Sequence, residues 1–417
     1  MSMRQFKNNQ NRRVVVTGLG VVSSLGIGWE EFWKNLIAGK SGISRIEAFD
    51  VSDYDRKFAG EVKRFEFKNF TKFKRFFSVG RSSQFAIAAS ILAARDANIN
   101  LKNKNTAVCV GTTMGEPQVM EKVDAKHFPS SKKIKYDSSS SLVYPASSIS
   151  NNVSRFFNLT GPSIMFTTAC AAGNYSIGKA YDLIQSGKVD CALAGGADAL
   201  SRIAFTGFGR LFAMAPEKCQ PFDRDRMGMM LGEGSGIVFM ETLESAKKRK
   251  AKIYAEVLGY GLSCDAQHMT NPAVRGVKKA ILKAIKDSGI KKNDIGYISA
   301  HGTGTKENDK AEAQAIRDIF GVYADELPVS SIKSMLGHTM GAASALEAIA
   351  CCLAIYTGQV PPTINVEHQD QECPINCVPN KSINKKLKLA LNNSQAFGGS
   401  NACTIFKEKS SDDFKKK

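Results

Sequence analysis

The sequence predicts an α/β fold made of two halves of similar rhythm. Short apolar, β-branched runs closed by glycine alternate with helical patterns along almost the whole chain. The pattern begins again after the polar run ESAKKRKAK, near residue 250. At 417 residues the chain also exceeds what most single cores hold, which calls for two domains or two fused halves. The expected division is 11–250 and 251–410. It rests on pattern, since no residue-level repeat is visible.

The elements follow in order. Arg13–Thr17 (RVVVT) reads as a short buried strand ending in a glycine turn. Thr106–Gly111, Cys191–Gly195 and Gly236–Glu241 are further apolar runs suited to strands. The segment 122–144, rich in Lys and Ser, reads as an exposed excursion. Ile164–Thr168 is strand-like and leads into helical character over Ala171–Ser186. In the second half, strands are expected at Ile253–Leu258, Ile295–Ala300, Val329–Ile332, Leu387–Asn392 and Ala402–Phe406. Helices are expected at Val274–Ser288, Asp309–Phe320 and Ala342–Tyr356. The last residues, KEKSSDDFKKK, read as a frayed tail.

Composition narrows the function. A hydrophobic fraction of 43% with 35 glycines suits a soluble globular enzyme. No run approaches the eighteen or so apolar residues of a membrane span, and MSMRQFKNNQNRR has no apolar segment behind it, so a cytoplasmic protein is expected. Ten scattered cysteines suit a reducing compartment. Cys373 and Cys377 alone have a metal-like spacing, and no second pair or nearby histidine completes a site, so no metal is expected. A net charge of +18 attracts nucleic acid, anionic membranes or acidic proteins. No nucleic-acid motif accompanies it. The densest patch, KNFTKFKRFFSVGR (68–81), includes Lys72, Lys74 and Arg75 and no acidic residue. It reads either as a solvated face or as a docking surface for an acidic partner.

Three stretches carry chemistry. Cys170 sits in TTACAAG, with no histidine or carboxylate within ten positions. At the junction of a strand and a helix it would meet free N–H groups and the helix dipole, which favour thiolate. A buried cysteine in a small-residue turn is the plainer reading of that stretch alone. His301 opens HGTGT directly after an expected strand, where open α/β sheets place ligand-facing groups. Lys333 and His338 flank a glycine turn in SSIKSMLGHTMGAA, which also fits an anion site or simple turn chemistry. The other histidines, His127, His268 and His368, have no such setting and read as surface or structural.

Taken together, TTACAAG, HGTGT and SIKSMLGHTMGAA strongly resemble the elongating β-ketoacyl-acyl-carrier-protein synthases. The resemblance runs from VVVTGLGVVSSLG through GGADAL, PFDRDRMGMMLGEGSG and VPPTIN to NSQAFGGSNA. It implies the thiolase fold: two fused βαβαβαββ halves in a five-layer αβαβα stack, usually dimeric. It implies that Cys170 takes the acyl chain as a thioester, and that His301 and His338 assist malonyl decarboxylation and stabilise the enolate. Lys333 and Glu347 would support the site, with Asp309 beside them. The N–H groups of Cys170 and Phe397 would form the oxyanion hole. Thr303 and Thr305 would hold the phosphopantetheine arm, and Phe208 and Gln395 would line the substrate site. Phe397, Gly398 and Gly399 would gate entry. No cofactor is implied beyond the phosphopantetheine that arrives on the acyl carrier protein.

The chain departs from the fatty-acid pattern in places. Ala172 and Tyr175 stand where those enzymes usually have Thr and His. Gln395-Ala396-Phe397-Gly398-Gly399 replaces Phe-Gly-Phe-Gly-Gly, which predicts a stiffer gating loop with a more polar lining. KENDKAE and DQECPINCVP look closer to ketosynthase subunits of type II polyketide synthases, which pair with a chain-length factor. The reading therefore leans to a polyketide subunit, with fatty-acid elongation as the alternative and a homodimer or a heterodimer as the assembly. A non-catalytic chain-length factor would lack the cysteine, and a degradative thiolase would need a second catalytic cysteine where only the strand-like NACTIF is found.

Overall fold

The computed structural model of the chain describes residues 12–102, 104–127 and 138–410. The extreme N-terminus, the middle of the 122–144 segment and the end of the C-terminal tail lie outside these. The flanks of that segment form helices, Pro117–His127 and Ser138–Val143.

Ten strands make the frame. The first half supplies β1 (Val14–Ser23), β2 (Thr106–Gly111), β3 (Ser163–Phe166), β4 (Cys191–Asp198) and β5 (Gly234–Thr242). The second supplies β6 (Ala255–Cys264), β7 (Tyr297–Ser299), β8 (Val329–Ser330), β9 (Leu389–Gln395) and β10 (Ser400–Lys407). Their spatial orders are β3-β2-β4-β5-β1 and β8-β7-β9-β10-β6, so the two halves repeat one topology. Antiparallel pairing of Val14–Val16 with Ala255–Val257 joins them into one hydrogen-bonded sheet, which also takes in the short strand Gly26–Ile27.

Six helices fill the layers. α1 (Arg81–Asp96) packs on β1 and β5, and α2 (Ser147–Phe157) lies beside it. α3 (Ala172–Gln185) packs on β2 and β4 and against α7 (Ala343–Thr357), which reaches β5, β7 and β9. α5 (Val274–Ser288) covers β6 and β10, with α6 (Lys306–Phe320) on its flank. The succession helix, sheet, central helices, sheet, helix is the five-layer stack expected. α4 (Arg202–Arg210) lies outside it, near the cleft described below.

Two strand expectations are corrected. β1 does not stop at a glycine turn after Thr17 but runs through Gly18 and Gly20 to Ser23, with a bulge between Val16 and Gly18. A Cβ on Gly18 would lie 2.1 Å from the Ala93 carbonyl oxygen, and one on Gly20 1.8 Å from that of Ala89. The glycines let α1 approach the strand; they do not bend it. β6 does the same, extending past Leu258 to Cys264, with Gly261 pressed against the Ala280 carbonyl of α5.

The central helix α7 is buried from Ala343 to Ile355. Met340–Thr357 is long and apolar enough to cross a membrane, but 89% of it is buried inside the fold. Being covered on all sides, it needs no polar face.

Candidate active site

Cys170 stands on a single 3₁₀ turn, Ala169–Ala171, that opens α3 just past the end of β3. Ala169 has φ 47°, a left-handed conformation that costs an L-residue about 1–2 kcal/mol. The bend leaves the thiol at the helix N-terminus, as the sequence suggested. It does not leave it as a thiolate. Burial pushes the Cys170 thiol up to about 12, while Lys333 and the N–H groups of Cys170 and Phe397 pull the other way. Desolvation wins because the sulfur is enclosed.

The other chemistry-bearing groups come from the second half. His301 follows β7 across the buried Ala300, and two carboxylates on the first two turns of α6 hold its loop. Glu312 accepts from the N–H groups of His301 and Gly302, both at 2.7 Å, and from the Asn393 amide. Asp309 accepts from the N–H groups of Thr303, Gly304 and Phe222 and lies 3.5 Å from Arg226. Burial raises both acids, Glu312 to about 7. His338 is fixed by backbone pairing with Met230–Gly232, within the stretch GMMLGEGSG.

The tautomers follow from the hydrogen bonds. Lys333 Nζ donates to His301 Nδ1 (3.3 Å), to the His301 carbonyl (2.6 Å) and to Glu347, with which it forms a buried ion pair. The N–H of Met340 donates to His338 Nδ1 at 3.0 Å. With both Nδ1 atoms accepting, each neutral imidazole carries its proton on Nε2. Burial and the Lys333 charge hold both rings well below the ordinary 6.5, so they are neutral at pH 7. The rings sit edge to face, centroids 5.4 Å apart.

One narrow cleft gathers Cys170, His301, His338, Thr303, Thr305, Phe208, Gln395, Phe397 and Gly399. Phe208, on α4, meets the Phe397 ring at 5.8 Å, and the Thr303 and Thr305 hydroxyls bond each other at 2.8 Å. Gly398 and Gly399 take φ 80° and 85°, so the loop turns there, whereas Ala396 sits in ordinary extended backbone. Lys333, Glu347 and Asp309 lie behind the cleft as supports. Lys72, Lys74 and Arg75 lie away from it, exposed, with Arg75 over the Phe73 and Phe76 rings. Arg81, at the end of the same basic run, turns inward and pairs with Glu233 at 2.7 Å. Its side chain keeps 27% exposure.

Sequence reasoning missed some residues. Glu312 and Asn174 are buried anchors. The loop after β6 brings His268, Met269, Thr270 and Pro272 to the cleft mouth, so His268 is exposed as expected but not remote from the site. Its place after a strand's C-terminal end was the available clue. His368 is exposed near Asp225, and the His127 side chain lies outside the described residues. All ten cysteines are free, and Cys373 and Cys377 are buried; no group of three metal-ligating side chains occurs among the described residues.

A thiol sharing one cleft with two imidazoles in a doubled α/β fold fits an acyl-condensing class of enzyme. The family models described as beta-ketoacyl synthase, N-terminal domain and C-terminal domain, match residues 11–246 and 254–367. The chain belongs to the β-ketoacyl synthase family. It is 38% identical over 420 residues to 3-oxoacyl-[acyl-carrier-protein] synthase 2 of Synechocystis sp., covering 96% of this chain and 99% of that one. The structure of the ishigamide ketosynthase/chain length factor matches with TM-score 0.93 and 44% identity, over 96% of this chain and 100% of that one. A type II polyketide synthase ketosynthase solved with its acyl-carrier protein matches with TM-score 0.87 and 32% identity, over 95% and 100%.

Proposed function

We propose that the protein joins an acyl chain on Cys170 to malonyl-acyl carrier protein by decarboxylative condensation. The observation that carries this reading is the pair of Nε2–H donors, His301 and His338, in the cleft that holds Cys170. In the first half-reaction the Cys170 sulfur attacks the acyl thioester, the carrier thiol leaves, and the Cys170 proton goes to it. The N–H groups of Cys170 and Phe397 face the sulfur and suit the oxyanion. In the second, the malonyl thioester oxygen takes hydrogen bonds from both imidazoles. Carbon dioxide departs, its bonding electrons form the enolate, and the enolate carbon attacks the Cys170 thioester and expels the thiolate. Decarboxylation supplies the carbanion, so the reading calls for no metal or redox cofactor.

The basic Lys72, Lys74 and Arg75 suit an acidic carrier protein. The neighbouring groove between 77–81 and Arg202 of α4 is mixed in charge, with Glu61, Glu121 and Asp124 beside Arg81, Lys122 and Arg202, so the reading rests on the exposed basic run itself. The match to the ishigamide ketosynthase/chain length factor supports a polyketide subunit paired with a chain-length factor. The match to the synthase 2 relatives supports the second reading, fatty-acid elongation. Nine buried cysteines, behaving as small apolar groups, support a reducing cytoplasm. The test is mass spectrometry of Cys170 during turnover with carrier protein. An acyl adduct on Cys170 that disappears when malonyl-carrier protein is added is expected; its absence overturns the reading.

A further inference from the structure

We propose that Gln395 is a specificity-determining residue that recognises an oxygen on the β-carbon of the chain carried by Cys170. This rests on the acylation of Cys170 proposed above and names the class of chain the site takes.

Gln395 ends β9, paired with Asn401, and is 2% exposed. Neither its Nε2 nor its Oε1 meets a partner among the described residues. Buried polar atoms almost always find one, and two unpaired atoms on one side chain ask for an explanation. The strand's alternation says where the amide points. Asn392 and Ser394 turn to Asn174 on α3, while Asn393 turns the other way, to Glu312 beneath the His301 loop. Gln395 shares the face of Asn393. It thereby lines the cleft with Cys170 and the two histidines, and the next residue, Ala396, packs in the same cluster as Cys170.

The side chain therefore offers a donor NH2 and an acceptor oxygen in the cleft that holds the thiol, whose lining combines the apolar Phe208, Met229 and Phe397 with the polar Thr303, Thr305 and Asn308. A saturated chain covers the amide and leaves both atoms unpaired. A β-keto thioester presents an acceptor oxygen as the ketone and a hydroxyl donor as its enol, the two complements of an amide. A site built to hydrogen-bond a substrate discriminates strongly against the analogue that lacks the group.

The experiment loads Cys170 from hexanoyl- and 3-oxohexanoyl-carrier protein and follows both rates by intact-protein mass spectrometry. Wild type is compared with Gln395→Met, which keeps the length and removes the amide, and with the double variant Gln395→Phe/Ala396→Gly. Melting curves establish which variants are folded. The expected result is faster loading of the 3-oxo chain by wild type and a fall of about tenfold in the rate ratio in either folded variant. An unchanged ratio overturns the proposal. So does a higher KM for malonyl-carrier protein with the ratio intact, which assigns the amide to the malonyl group. If neither chain loads wild-type Cys170, the proposed function itself falls.

Discussion

Cys170 carries a proton that its surroundings do little to remove. With burial pushing the thiol up to about 12, the thiolate fraction at pH 7 is small and grows about tenfold per pH unit. Alkylation of Cys170 by iodoacetamide is therefore expected to accelerate steadily from pH 6 to pH 9. A plateau near pH 7 would show the helix end overriding desolvation. The histidines move the other way. Their pKa values are depressed, so they gain protons only at lower pH, and the neutral Nε2–H form persists well below pH 6.5. A Cys170→Gln variant, with both imidazoles intact, is expected to lose condensation yet keep malonyl decarboxylation, level from pH 8 to pH 6.5. A midpoint at or above 6.5 in its carbon dioxide release contradicts the geometry.

At the scale of elements, α3 and β9 are tied by a buried amide network. Asn174 accepts from Asn392 and Thr404 and donates to Ser394 and the Asn392 carbonyl. Its backbone N–H also reaches Ser344 on α7. Asn174→Ala leaves several of these groups buried and unpaired, which costs about 2–4 kcal/mol. A melting temperature lower by several degrees is the expected outcome; no change would mean that the groups repartner. Little of this could be foreseen. The glycines of VVVTGLG were legible as glycines, but whether they bend a strand or admit a helix depends on α1, more than sixty residues away. Cys170, His301, Lys333 and His338 were legible because each sits in a run of small or glycine residues at an element's end. Glu312 was not, because a carboxylate inside KENDKAEAQ looks like any solvated helix face until the His301 loop folds over it.

At the scale of the molecule, charge and symmetry separate two tasks. The exposed Lys72, Lys74 and Arg75 do not line the cleft, so a docking role for them would bear on encounter and not on chemistry. Reversing all three to glutamate is expected to raise the KM for carrier protein several-fold at low salt and to leave iodoacetamide labelling of Cys170 unchanged. Equal kinetics at low salt would make the run a solvated face. The symmetry goes deeper. α7 opens as α3 does: Met340, at φ 54°, stands where Ala169 stands, and Gly341 stands where Cys170 stands. The chain thus owns two sharp corners of one design, but only one can be armed. A Cβ on Gly341 would lie 2.6 Å from the backbone of Thr112, and its N–H is already given to Asp198. With Thr112 of the first half packed over the second corner, the two corners are not interchangeable. A side chain can be exchanged at the first corner alone, and the second half serves the site through its histidines instead.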